Sequence, residues 1–148
     1  MTVIAWDGTT LAADKRVLGG YLISGATKKI FRIGDALVGI SGPLAESMAR
    51  VAWWRDGARP EAFPGTKAAP DDRVEMLVIR QGELPRLYGE SPHPAPMTER
   101  CVALGSGEAL ALMAMRCGHD AAEAVRLTCE LNASCGNGID TLTFEDSE

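Results

Sequence analysis

The residue with the clearest chemical potential is Thr2, directly after Met1. A threonine hydroxyl is a weak nucleophile until a base takes its proton, and an amino-terminal residue carries a candidate base in its own α-amine. That amine has a reference pKa of about 7.7–8.0, so it accepts a proton near neutral pH. The small Thr2 side chain favours removal of Met1. Thr2 would then supply both the nucleophile, its hydroxyl, and the base, its free α-amine. As a β-branched residue, Thr2 also suits an ordinary strand.

Attack of a hydroxyl on an amide bond develops an oxyanion, which needs fixed N–H donors. Gly42 lies where an apolar run gives way to a segment that predicts a helix from Pro43 onwards. The amino-terminal end of a helix favours negative charge. Gly42 is therefore the predicted oxyanion donor, and the same glycine could also serve only as the helix cap.

The segments around these residues predict strands. The runs TVIAW and TLAAD flank Asp7-Gly8, a strong hairpin pattern because glycine supplies the positive φ of a tight turn. A second pair follows, GYLISGATKKIFRI and ALVGIS, which gives four amino-terminal strands. These runs are nearly all apolar, so we expect strands that are covered on both faces.

The next segment, GPLAESMARVAWWRDG, changes to a helical period. Leu44, Met48, Val51 and Ala52 recur at helical spacing, Pro43 suits the first turn and Gly57 suits the end. The stretch ARPEAFPGTKAAPDD, residues 58–72, holds three prolines and predicts an irregular surface loop with at most one helical turn.

The second half predicts three strands, two helices and a final strand. RVEMLVIR and LPRLYG form a hairpin around QGE, ESPHPAP is an exposed loop, and RCVALG is a short buried strand. SGEALALMAMRCG and HDAAEAVRLTCELNASCG are helices, each closed by a glycine, and Asp120 with Glu123 has the pattern of a capping box. GIDTLTFE ends the chain as a strand. This order indicates one α+β domain over residues 1–148, with two sheets and outer helices.

The composition limits the partners of this domain. With 46% hydrophobic and 24% charged residues, the chain has the make-up of a soluble globular protein. No window approaches the roughly 18 apolar residues of a membrane span, and no secretion signal is present, so we expect a cytoplasmic protein without a membrane partner. A net charge of −5 argues against nucleic acid. The four cysteines lack metal-binding spacing and are interpreted as reduced thiols, so no metal is expected.

Three motifs in order, ADKR, TKKIFRIGDALVGISGPLAE and ALGSGEALAL, carry a family resemblance. Together with Thr2, they make the chain similar to proteasome β-subunits and to the bacterial HslV-type peptidase, as a short bacterial or phage-like member. The resemblance implies the four-layer αββα sandwich of N-terminal-nucleophile (Ntn) hydrolases. It also implies a threonine-type peptidase that forms an acyl-enzyme on Thr2 and uses no cofactor.

The resemblance assigns roles to further residues. Lys29 is expected beside Thr2, where its charge depresses nearby proton affinities. Lys28 should point to the opposite face, because side chains alternate along a strand. A buried lysine needs a partner, which Asp14 at the end of the second strand would supply. Ser106 is expected to hydrogen-bond the terminal amine or relay its proton, or else to act as a helix cap.

The substrate pocket and one departure from the family complete this prediction. The pocket residues that the resemblance implies are Val17, Thr27, Phe31 and Ile40, a mostly apolar set. Where proteasome subunits carry an aspartate and a serine, this chain has Asn132 and Cys135. Asparagine brings no negative charge, so the proton affinity of the Thr2 amine is expected to differ.

The resemblance also implies partners: a polypeptide substrate, a homo-oligomeric ring, and a substrate-unfolding ATPase that the sequence does not identify. The proline-rich residues 59–72 replace the central helix through which family members stack their rings. Two alternatives stay open. One is a small-molecule amidase that uses the same nucleophile, and the other is an inactive ring or scaffold subunit that retains Met1.

Overall fold

Two antiparallel sheets lie at the centre of the molecule in a computed structural model, which describes residues 2–65 and 73–145. The elements in chain order are β1 (Ile4–Trp6), β2 (Thr10–Asp14), β3 (Arg16–Gly19), β4 (Leu22–Ala26), β5 (Ile30–Ile33), β6 (Ala36–Ser41), α1 (Leu44–Arg55), β7 (Glu75–Arg80), β8 (Arg86–Tyr88), β9 (Ala95–Pro96), β10 (Val102–Leu104), α2 (Glu108–Arg116), α3 (Ala121–Leu131) and β11 (Ile139–Thr143). The first sheet has the order β10-β1-β2-β11 and the second β5-β6-β7-β8-β9. Strands β3 and β4 form a separate two-stranded ribbon.

Three apolar clusters define the layers. One cluster joins the outer face of the first sheet to α2 and α3 through residues such as Val3 and Val125. The second lies between the two sheets and includes Ile4 and Leu77. The third joins the outer face of the second sheet to α1 through Val38 and others. Helices therefore cover both outer faces, and the predicted four-layer αββα sandwich is confirmed.

The β1–β2 hairpin brings the start of the chain next to Asp14. Gly8 has φ +98° in the turn. The Asp7 carboxylate accepts hydrogen bonds from the backbone N–H groups of Thr9 and Thr10. Asp14 N donates to Val3 O at 3.2 Å, one residue beyond the Ile4–Ala13 pair of the ladder. The predicted hairpin is confirmed, and its register places Asp14 beside Thr2.

The strand count before α1 differs from the prediction. Residues 20–33, predicted as one strand, form β4 and β5 with a break at residues 27–29, and residues 16–19 form the additional strand β3. Within the break, Thr27 N donates to Lys15 O and Lys29 O accepts from Ile40 N. The chain crosses from the ribbon to the second sheet here, a tertiary feature that strand propensity does not encode.

The predicted helix α1 is present, but its buried face is not set by the apolar spacing. Of the four apolar residues that mark the helical period, only Val51 is buried, whereas Leu44, Met48 and Ala52 are exposed. Trp53 is buried, with ring centroids 5.0 Å from Phe63 and 5.6 Å from Tyr88. Aromatic packing of this size decides which face turns inward. The outer face of α1 therefore carries five exposed apolar residues beside Arg55, namely Leu44, Ala45, Met48, Ala49 and Ala52.

Most of the remaining predicted elements are confirmed. The loop after α1 contains a single 3₁₀ turn, Pro60–Ala62, and residues 66–72 of the predicted loop lie outside the described residues. Asp120 Oδ1 accepts from Glu123 N at 2.9 Å, but the Glu123 side chain pairs with Arg126 and does not complete the capping box. Gly118 follows α2 closely, whereas α3 ends at residue 131, well before Gly136.

Within the described part of the chain, no helix has the length and apolar character to cross a bilayer. The four cysteines are free thiols.

Candidate active site

Thr2 is buried and held by the turn between β10 and α2. Its N–H donates to Ser106 Oγ at 3.2 Å. Its carbonyl accepts from Gly107 N at 3.1 Å and from the Ser106 hydroxyl at 3.5 Å. Gly105 has φ +91°, and a Cβ there would collide with Thr2 O, so only glycine allows this close approach. The turn thus fixes both backbone polar groups of Thr2 that flank its side chain.

Asp14 is fully buried and accepts four hydrogen bonds. Its Oδ1 accepts from Val3 N at 3.1 Å and from Lys29 Nζ at 2.9 Å. Its Oδ2 accepts from Arg16 N at 3.2 Å and from Gly136 N at 3.0 Å. A buried carboxylate is tolerated when a cation and additional donors satisfy its lone pairs. The predicted Asp14 and Lys29 are therefore an ion pair in the interior.

Lys29 and Lys28 have opposite environments. Lys29 is only 6% exposed, whereas Lys28 lies at the surface. The predicted difference between the two lysines is present, although residues 27–29 lie in the break between β4 and β5 and not in a strand. The Lys29 ammonium is thus the one that pairs with Asp14, whereas both lysines contribute to the lining of the cavity beside Thr2.

A cavity of about 90 Å³ adjoins Thr2. Three of the four predicted pocket residues, Val17, Thr27 and Ile40, line it together with Lys29 and Gly42. The fourth, Phe31, packs instead against the cluster between the second sheet and α1. The remaining lining residues are Arg16, Leu18, Lys28, Pro43, Leu44, Ser47 and Met48.

Sequence reasoning missed the α1 wall of this cavity. Leu44, Ser47 and Met48 line it, and none of them was among the predicted pocket residues. The helix begins two residues after Gly42, so its first turns must lie close to whatever Gly42 faces. That sequence proximity was the available signal.

Gly42 joins β6 to α1 and lies in the cavity wall. Its φ is +134°, and a Cβ at this position would be 3.0 Å from Val74 Cα and 3.1 Å from Arg73 O. Both contacts are with backbone atoms that cannot rotate away. Only glycine therefore fits at this position. The position also lies at the amino-terminal end of a helix, where negative charge is favoured.

Asn132 and Cys135 lie after α3. Asn132 Oδ1 accepts from Ser134 N at 2.9 Å, and Asn132 O accepts from Cys135 N at 3.0 Å. Among the described residues, no hydrogen bond joins Asn132 to Thr2. Burial, and secondarily the charge of Asp14, raises the pKa of the Cys135 thiol to about 11. Cys135 is therefore a neutral thiol behind Asp14 at physiological pH.

A larger cleft, of about 450 Å³, lies beside the turn of the β1–β2 hairpin. Trp6 and Gly8 line it, at the other end of β1 from Thr2. Its charged lining includes Glu83 and Glu99, which are exposed to solvent. We take the smaller cavity as the candidate site, because it adjoins the buried Thr2 and the Asp14–Lys29 ion pair. Across residues 2–65 and 73–145, no cluster of His, Cys, Asp and Glu could hold a metal ion.

Comparison with solved structures defines the fold class. HslV from Trypanosoma brucei superposes with a TM-score of 0.71 at 19% identity, covering 96% of this chain and 98% of that one. The Anbu (Gly-1) mutant from Hyphomicrobium sp. strain MC1 gives 0.67 at 17%, covering 97% and 81%. Thiobacillus denitrificans BPH in complex with epoxomicin gives 0.62 at 21%, covering 96% and 97%. The chain has the HslV-type fold of the Ntn hydrolases.

No protein-family model matches the sequence, and no curated protein matches it.

Proposed function

We propose that this protein is a threonine-type peptidase whose nucleophile is Thr2, released as the amino terminus by cleavage of the bond after Met1. Met1 itself lies outside the described residues. The observation that carries the proposal is the 3.2 Å contact between Thr2 N and Ser106 Oγ, next to the buried Asp14–Lys29 pair. An ion pair that is buried beside a cavity is a common feature of catalytic sites.

The mechanism follows from the groups around Thr2. The free α-amine takes the proton from Oγ, and Oγ attacks the carbonyl carbon of the substrate amide. The C–N bond then breaks, the departing amine takes the proton, and an ester remains on Thr2. Water hydrolyses this ester and restores the hydroxyl. Ser106 orients the amine, and the positive charge of Lys29 favours deprotonation of the groups near it.

Gly42 is proposed to stabilise the oxyanion. It lies in the wall of the same cavity as Thr2 and precedes α1, so a backbone N–H and the helix dipole are both available there. Asn132 is proposed to hold the loop that contains Cys135 rather than to contact the amine. Because Asn132 carries no charge, Lys29 is proposed as the cation that acts on the amine.

We propose that the cavity binds an apolar substrate side chain just before the cleaved bond, because Val17 and Ile40 form part of its wall. A small-molecule amidase is the second candidate, favoured by the small cavity volume of about 90 Å³. Comparison of hydrolysis rates for acyl amides and for peptides of increasing length separates the two. Rates that rise with peptide length support the peptidase.

A homo-oligomer of the cytoplasmic protein is also proposed, supported by the outer face of α1. Five apolar residues exposed on one helix exceed the scattered apolar residues of an ordinary surface. We expect Ala52→Glu to lower the molar mass measured by light scattering, because it places a charge in that face. Ala109→Glu on exposed α2 is the matched control and should leave the mass unchanged. Equal masses for all three proteins would contradict this interface.

The activity is tested on protein purified from cells. We expect intact-mass analysis to show loss of Met1, and epoxomicin to add one mass increment at Thr2. Thr2→Ala should abolish labelling, whereas Thr2→Ser, which keeps a hydroxyl, should retain it. Complete retention of Met1 would contradict the proposal and favour the inactive scaffold subunit.

A further inference from the structure

We propose that Arg16 is a positioning residue that holds residues 133–137 against Asp14. Arg16 Nε donates to Asn137 Oδ1 at 2.8 Å, and Nη1 donates to Ala133 O at 2.8 Å. The guanidinium therefore contacts both ends of this segment. A Cβ at Gly136 would lie 2.5 Å from Arg16 Nη2, so the guanidinium packs directly on that glycine.

The segment supplies one of the four donors to Asp14. Gly136 N donates to Asp14 Oδ2 at 3.0 Å, and the same oxygen accepts from Arg16 N at 3.2 Å. Arg16 thus binds Asp14 through its main chain and holds the neighbouring donor through its side chain. Lys15 N donates to Gly136 O at 3.0 Å and adds a second link to the segment.

The segment ends in a residue whose backbone conformation is unfavourable. Asn137 has φ +65°, in the left-handed region. Asparagine tolerates this region better than most residues, but a non-glycine residue there still has a conformational cost. The Arg16–Asn137 hydrogen bond compensates that cost at the residue where it arises.

The effect on chemistry rests on the proposed function. If Gly136 N moves away, Asp14 Oδ2 loses a donor, and the carboxylate and Lys29 shift relative to Thr2. Loss of a hydrogen bond to a charged group corresponds to a change of about 10- to 100-fold in rate. We expect that loss in the acylation rate constant and not in substrate affinity.

Asn137 offers the cleaner test, because Arg16 also lines the cavity and its substitution could alter substrate binding. Asn137→Gly keeps the left-handed backbone and removes Oδ1. Asn137→Asp keeps an oxygen acceptor for Arg16. Arg126→Met is the matched control for loss of an arginine, since Arg126 pairs with Glu123 and Glu130 on the surface of α3.

Two measurements are made on each variant. Epoxomicin labelling over a concentration series separates the acylation rate constant from the inhibitor affinity. Amide hydrogen exchange at Gly136, followed in the Thr2→Ala background, reports the contact with Asp14 without any need for activity. For Asn137→Gly we expect labelling about 10-fold slower at unchanged affinity and faster exchange at Gly136, with both restored by Asn137→Asp.

Unchanged labelling and unchanged exchange in Asn137→Gly and Arg16→Met would overturn the positioning role. So would an equal effect of Arg126→Met. Faster exchange at Gly136 in a protein that never takes the probe would support the Arg16 contact and refute the proposed function, so the two failures are distinguishable.

Discussion

Two buried cations, Lys29 and Arg50, show how differently one chain treats charge in its interior. Lys29 Nζ lies 2.9 Å from Asp14, whose carboxylate has three further N–H donors. Arg50 is fully buried, yet its Nη2 lies 3.7 Å from Glu90 and has no hydrogen-bond partner, and neither does its Nε.

Arg50 packs in the core and is not among the described residues that line the cavity beside Thr2. Its Nη1 donates to Gly89 O at 2.7 Å, and its guanidinium carbon lies 4.3 Å from the centre of the Phe63 ring. Burial lowers the pKa of Arg50, and the charge of Glu90 acts in the opposite direction. The comparison teaches that burial alone does not mark a functional charge. The Lys29 pair differs in the complete set of donors on its carboxylate and in the adjoining cavity.

Removal of Lys29 is expected to give the largest effect. Lys29→Met leaves Asp14 without its cation, so we expect the free energy of unfolding to fall by about 3 kcal/mol. Loss of the charge near Thr2 should reduce the labelling rate by at least about 100-fold. Urea unfolding and epoxomicin labelling measure the two effects. Lys28→Met is the matched control at the exposed neighbour, and labelling of Lys29→Met at the normal rate would refute the assigned role.

Cys135, behind Asp14, is expected to make the free energy of unfolding fall as the pH rises into the alkaline range. Its pKa is raised to about 11, chiefly by burial, whereas the thiol of the unfolded chain ionises near 8.5. The unfolded state therefore loses a proton first, and the free energy of unfolding falls between about pH 8.5 and 11, by up to about 3 kcal/mol.

Urea unfolding of wild type and Cys135→Ala across this range measures the effect. The free energy of unfolding should fall less steeply with pH in Cys135→Ala than in wild type. In Cys117→Ala it should fall as steeply as in wild type, because Cys117 is exposed. A parallel pH dependence in wild type and Cys135→Ala would show that the thiol ionises normally.

Arg50→Met is expected to have the smallest effect. The substitution loses the bond to Gly89 O but also removes two buried N–H groups without partners. Glu90 is partly exposed and also accepts from Val74 N, so the substitution leaves no buried unpaired charge, and we expect a change within about 1 kcal/mol in urea unfolding. A loss as large as that of Lys29→Met would remove the distinction between the two cations.

The sequence predicted those parts of the fold that depend on local chemistry. The turn at Asp7-Gly8, the covered strands and the order of sheets and helices follow from backbone preference and hydrophobic periodicity. The buried face of α1 does not, because Leu44 and Met48 have helical spacing as regular as that of the residues that are buried. Contact with Phe63 and Tyr88 decides the orientation of this helix.

In the candidate site, too, only the residues marked by local motifs could be predicted from the sequence. Thr2, Asp14 and Lys29 lie within thirty residues of one another, and the resemblance located them from short motifs. The Arg16–Asn137 contact spans 121 positions and depends on how β2 and β11 pair. No periodic pattern marks such a pair, so a single sequence gives no means of finding it.

The glycines around Thr2 restrict how this site can change its specificity. A Cβ at Gly107 would lie 2.6 Å from Thr128 Cγ2 and 2.8 Å from Val3 Cβ, and one at Gly105 would overlap Thr2 O. Random substitution on that side therefore destroys the fold before it alters selectivity. Leu44 and Met48 on the opposite wall are exposed in the single chain, so larger or smaller side chains fit there without loss of the monomer fold, and only the proposed α1 interface restricts them. A mutagenesis library for new substrates should vary these two positions and keep the glycines constant.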